Sequence, residues 1–80
     1  MYFSVKIVEP GSDYTLIITF ETGERKRFDM KPFLDLGVFK TLRDEERFRT
    51  VHVSFNTVAW EGDIDFDPEA LYEGGLPLSK

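Results

Sequence analysis

No cysteine occurs among the 80 residues, which removes disulfide scaffolds, zinc ribbons and thiolate nucleophiles together and suits a reducing compartment, the cytoplasm. Histidine and tryptophan occur once each, as His52 and Trp60. No apolar run approaches the ~20 residues of a membrane span, and the opening MYFSVKIVEPG lacks the basic start and apolar stretch of a secretory signal. A soluble protein with no membrane association is expected. Glycine-rich phosphate loops are missing as well, since Gly74-Gly75 neither follows a parallel strand nor opens a helix. A chain this short buries only about 60% of the surface its unfolded form exposes, so it holds one domain with a thin core and no large internal ligand cavity.

Acid is what the chain has in excess. Ten Lys and Arg stand against fifteen Asp and Glu, a net charge of −5. Residues 1–40 balance at six of each sign, whereas residues 41–80 hold four bases and nine acids. Glu61, Asp63, Asp65, Asp67, Glu69 and Glu73 follow one another with no base between them. Phosphates are repelled by such a stretch, so direct nucleic-acid binding by this domain alone is not expected. The one basic cluster, Arg25-Lys26-Arg27, lies in a strand pattern: Arg25 and Arg27 share a solvated face while Lys26 turns the other way with Glu24 and Phe28.

Period-2 patterns dominate the first half. Phe3, Val5 and Ile7 alternate with Ser4, Lys6 and Val8 as a half-buried strand, and Glu9-Pro10-Gly11-Ser12-Asp13 supplies a turn. Tyr14, Leu16, Ile18 and Phe20 then form a wholly apolar strand face, and Arg25 to Met30 returns antiparallel after a loop with Gly23 at its left-handed position. Pro32 to Gly37 reads as a single helical turn that pins Phe33 and Leu36 over the sheet. Asp44 is placed as the N-cap of a short helix ending near Arg49, with Leu42 and Phe48 as its core anchors. Val51, Val53 and Phe55 alternate with His52, Ser54 and Asn56 before a tight turn at Asn56-Thr57 and a short strand at Val58-Ala59-Trp60. Asp63 to Phe66 is extended, Asp67-Pro68 starts a second helix, Gly74-Gly75 ends it, and residues 74–80 read as a fraying tail beyond a folded core of residues 1–73.

The residues that could carry chemistry are few. Asp63, Asp65 and Asp67 resemble the opening of a calcium loop, but Pro68 and Gly74 stand where that loop requires a glycine and a bidentate carboxylate. His52 and Ser54 share a strand face about 7 Å apart, too far for a nucleophile and its base. No metal set, cofactor or catalytic group is implied, and a non-enzymatic protein is expected. The twelve aromatics mostly build core, with Tyr2, Tyr14 and Trp60 as candidates for a partner or self-association surface.

A strand pair ending in YTLIITFETGERKRFDM, a segment LRDEERF, then VHVSFNTVAW and GDIDFDPEALYE resemble, across residues 5–73, a family of small bacterial proteins known as domain of unknown function family 2442. The run through Trp60, Asp63, Asp65, Pro68, Leu71 and Tyr72 is its most specific part. The resemblance implies a compact α+β domain with no established activity. It also implies a gene that stands beside another small gene, as in toxin–antitoxin pairs; some relatives carry an added helix-turn-helix domain, which these 80 residues do not contain.

The reading that follows is an α+β domain, with a mainly antiparallel sheet of about five strands packed by two short helices. Its expected role is that of an interaction module, antitoxin-like or accessory to a small two-protein system. Glu61, Asp63, Asp65, Trp60 and Tyr72 are the expected partner-binding residues. The alternative is a small-molecule or divalent-ion binding domain lined by Trp60, Tyr72 and the aspartates.

Overall fold

A computed structural model describes residues 3–78 in the order β1 (Val5–Pro10), β2 (Thr15–Phe20), β3 (Arg25–Asp29), two 3₁₀ turns (Lys31–Phe33 and Gly37–Arg43), α1 (Glu45–Phe48), β4 (His52–Ser54), β5 (Thr57–Trp60), β6 (Ile64–Phe66), α2 (Pro68–Gly74) and β7 (Leu76–Pro77). Tyr2, a candidate surface aromatic from the sequence, lies outside the described residues. The class is α+β, as the patterns predict. The strands, however, form two antiparallel sheets rather than one of about five: β1-β2-β3-β7 and β4-β5-β6. The chain passes from one sheet to the other through Lys31 to Phe48, whose Leu34, Leu42 and Phe48 are buried and whose Phe33 and Phe39 pack against the core; the small sheet then lies beside β1, and β7 takes the outer edge of β3.

β2 is the spine because its inward face is all large hydrophobic: Leu16, Ile18 and Phe20 have no exposed surface. Tyr14, expected on the same face, sits in the preceding turn, where it packs edge-on against Phe48 and donates its hydroxyl to the Arg43 carbonyl at 2.5 Å. β3 returns beside β2 with Leu16 opposite Phe28 and Ile18 opposite Lys26. The expected split of the basic cluster holds, with Arg25 and Arg27 exposed and Lys26 half-buried. On the other side of β2, a register shift between Val5 and Ile7 breaks the expected alternation of β1. An extra residue flips the faces, so Val5 is buried, Ile7 turns to solvent and Val8 packs inward.

The two sheets share one core. Val58, Trp60, Ile64 and Phe66 from the small sheet join Leu16, Ile18, Phe20 and Phe28 from the large one, with Leu71 of α2 and Phe48 of α1 closing the cluster. Phe66 lies at its middle, with ring centroids 5.4 Å from Phe28, 5.1 Å from Phe33 and 5.4 Å from Phe39. A backbone bond from Val5 N–H to the Asn56 carbonyl, 2.9 Å, ties the start of β1 to the small sheet.

Both helix starts form as the sequence predicts. Asp44 accepts from the Glu46 N–H at 3.1 Å and Asp67 from the Glu69 N–H at 3.2 Å, satisfying donors that the helix itself leaves free. Leu36 departs from expectation: the first 3₁₀ turn ends at Phe33, and Leu36 is exposed. From Gly75 to Leu78 the expected fraying tail is instead paired, while residues 79 and 80 lie outside the described residues. Gly75 donates its N–H to the Leu71 carbonyl, Leu76 and Pro77 pair with Arg27 and Lys26, and the Leu78 N–H reaches the Arg25 carbonyl at 3.0 Å. Proline is tolerated there because an edge strand needs no donor on its outer side.

Candidate functional site

The five residues expected to bind a partner do not stay together. Trp60 is 1% exposed, and its indole N–H donates to the Phe48 carbonyl at 3.0 Å. It is a core anchor, spent on the fold and offering no surface. Tyr72 packs on the large sheet, edge-on to Phe20 at 5.1 Å. Its hydroxyl donates to a Glu24 carboxylate oxygen at 2.6 Å, and Lys26 Nζ lies 3.7 Å above its ring and 2.6 Å from its carbonyl oxygen. Donor, π-face and carbonyl are all engaged, so Tyr72 clamps α2 to the β2–β3 hairpin. The Tyr72 hydrogen bond, with a second from Thr22, holds the Glu24 carboxyl below its ordinary value, and the same hydrogen bond raises the Tyr72 phenol.

Glu61, Asp63 and Asp65 do come together, around the outer face of the small sheet. The register places His52 opposite Ala59 and Ala59 opposite Asp65, while Val58, Trp60, Ile64 and Phe66 turn inward. His52 and Asp65 therefore stand about 10 Å apart, two strand spacings, with only a methyl group between them. This leaves a shallow trough of about 480 Å³. The β5–β6 turn raises Glu61 and Asp63 along one end of it. That turn requires Gly62, whose φ is +95° and where a Cβ would stand 3.2 Å from Arg47 Nη1. Asp63 follows at φ +62°, a conformation aspartate tolerates better than most residues.

No lysine or arginine lines the trough, and none of the ion pairs among the described residues uses its three carboxylates; those pairs are Lys31 with Asp13 and Asp29, and Arg43 with Asp35. Arg47 lies beside the turn, donating to the Glu61 backbone carbonyl at 3.4 Å, and shares an adjoining concavity with Glu61. His52 Nδ1 lies 3.0 Å from the Thr50 carbonyl, which only accepts, so that nitrogen carries the proton. Among the described residues no three His, Asp or Glu side chains converge as metal ligands. No helix among them is long and apolar enough to cross a membrane.

Phe55 also departs from expectation. The alternation puts it on one strand side with Val51 and Val53, ahead of a turn at Asn56-Thr57. The turn instead lies one residue earlier: Ser54 pairs with Thr57, and Phe55 and Asn56 form a two-residue loop at φ +49° and +72°. Phe55 is 97% exposed at its tip. Only Asn56 of the pair carries a signal for such a loop, since both positions are left-handed and a bulky residue is disfavoured at the first.

The fold and the site define a small α+β domain of two antiparallel sheets, one of which carries a shallow outer face edged with carboxylates. The chain belongs to DUF2442, a family described as protein of unknown function, whose profile matches residues 5–77, from the first residue of β1 to the last of β7. The resemblance read from the closing run through Trp60 and Tyr72 is thereby borne out. Comparison with curated proteins and with solved structures finds no match.

Proposed function

We propose that this protein is a non-enzymatic interaction module, the accessory or antitoxin-like half of a small two-protein system acting in the cytoplasm, and that the outer face of its small sheet engages a basic protein. The observation that carries the reading is that Glu61, Asp63 and Asp65 form no ion pair among the described residues and stand around a trough with no lysine or arginine in its lining. Carboxylates that hold no structural partner do little for the fold, whereas together they steer an oppositely charged surface and repel a wrong one. Trp60 supports this face from within the core, whereas Tyr72, engaged by Glu24 and Lys26 at the β2–β3 hairpin, is not part of it. The test is co-expression with the product of the neighbouring gene and co-purification at low and high salt. A complex that forms at micromolar concentration, weakens with salt and is lost in the double variant Glu61→Lys, Asp65→Lys supports the reading. Absence of any complex overturns it.

A further inference from the structure

We infer that Phe55 is the anchor of this interaction, a hairpin-tip aromatic that inserts into an apolar pocket on a basic partner protein; the inference rests on the reading of the domain as an interaction module. Two local penalties coincide at this one residue. A large apolar side chain stands 97% exposed, the most exposed of the large hydrophobics among the described residues. Its backbone is also held at φ +49°, a conformation that favours Asn, Asp or Gly at the first position of a two-residue hairpin loop and is strained for a bulky residue. Neither penalty contributes to the fold, because Phe55 is absent both from the core and from the hydrophobics packed against it. Strained positions of this sort gather at ligand clamps, and aromatics are enriched among the residues that dominate binding energy.

The surroundings specify the partner. Phe55 stands on a ridge between two concavities, one edged by Glu61, Asp63 and Asp65 and the other by Asp67 and Glu69, and neither is lined by a lysine or arginine. The complementary surface is an apolar pocket ringed by Lys or Arg. A second copy of this chain would bring the same carboxylates face to face across a two-fold axis, and nucleic acid or an anionic membrane would be repelled. The hairpin that carries the knob is tied down beside it. The Asn56 carbonyl accepts from the Val5 N–H at 2.9 Å, and the Thr57 hydroxyl donates to the Phe66 carbonyl, so little ordering remains to be done on binding.

The test uses the full chain with the photo-reactive residue p-benzoylphenylalanine in place of Phe55, or of Leu36 as an exposed control, in cells that make the protein. Cross-linking supplies the partner; support comes from affinities measured with that purified polypeptide. Phe55→Asn, which suits the turn better, is expected to raise the thermal midpoint of the free domain while weakening binding about 30-fold or more. Phe55→Tyr is expected to retain most of the affinity, and Glu61→Lys with Asp65→Lys to lose it. Binding of Phe55→Asn within about twofold of the parent overturns the anchor. If the charge reversals still abolish that binding, the interaction reading survives without it. Tighter binding after charge reversal refutes the basic partner, and no cross-link at position 55 beyond that at position 36 also refutes the anchor. If in addition no complex forms with the neighbouring gene product, both readings fall.

Discussion

The phenol of Tyr72 donates to the Glu24 carboxylate across a 2.6 Å hydrogen bond, joining the second helix to a turn formed 48 positions earlier in the chain. The bond fastens α2 to the large sheet through a titratable pair, so the attachment depends on pH at both ends of the scale.

On the acid side, the Glu24 carboxyl is held below its ordinary 4.5 by the Tyr72 and Thr22 hydroxyls. A depressed folded value means that the unfolded chain binds protons first. The stabilising contribution is complete above pH 4.5 and is lost as pH falls through the lower folded value. Asp29, lowered chiefly by the Lys31 N–H, acts in the same direction. Glu24→Gln is expected to be less stable than the parent at neutral pH and to lose less on acidification. Urea midpoints followed by circular dichroism above and below pH 4.5 check this; parallel curves for the two proteins would contradict it.

On the alkaline side, the Tyr72 phenol is raised above 10.0 by the same hydrogen bond. Its contribution is present below pH 10.0 and disappears as pH rises through the folded value. Tyr72→Phe removes the donor while leaving the packing on Phe20, and should flatten the alkaline limb of the stability profile.

Trp60→Phe is expected to destabilise the domain by about 2–4 kcal/mol, from lost packing and from the Phe48 carbonyl left without its donor inside the core. A chain of this size sits near the low end of the usual ~5–15 kcal/mol, so the loss is a large fraction of the total. Denaturant titration measures it. In the parent, the buried indole should emit to the blue of the unfolded chain.

Gly62→Ala is expected to cost about 1–2 kcal/mol, because alanine is disfavoured at positive φ and its Cβ would crowd Arg47. The change also disturbs the turn that presents Glu61 and Asp63. Thermal melts give the stability effect, and partner affinity should fall further than stability alone accounts for.

Asp67→Ala should remove about 1 kcal/mol by leaving the Glu69 N–H without its cap. Asp44→Ala does the same at the first helix. Chemical denaturation of the two single variants and the double tests this; the effects should add, since the two caps share no partner.

Much of this was legible in the sequence wherever a local rule and the tertiary context agree. The inward face of β2, the antiparallel return of β3, both aspartate caps and the outward turn of Asp65 between Ile64 and Phe66 follow from alternation and capping alone. The rest depended on a single inserted residue or on space filled from elsewhere. The extra residue near Lys6 reverses which of Ile7 and Val8 is buried, and a period-2 pattern of Val and Ile is equally apolar in either phase. The division into two sheets was not legible because a strand's own pattern does not record which edge it pairs with after a long connection such as the one that carries Phe33, Phe39 and Leu42. At the candidate site, the three carboxylates were legible as acids without helix or strand duties. For Trp60 the sequence offered both core and partner surface, because an aromatic at the end of a strand suits either, and the structure buries it.

The late return of Leu76 and Pro77 to the flank of Arg25–Asp29 bears on how the chain is made. During translation the β1–β2–β3 meander emerges early, yet the residues that cover its open side arrive only after the second helix. In that interval a strand with unsatisfied amides is exposed to other nascent chains, the situation in which intermolecular pairing begins. Arg25, Lys26 and Arg27 lie along this side. Three adjacent cations on an open strand are the charge pattern that opposes pairing with a second copy of the same strand.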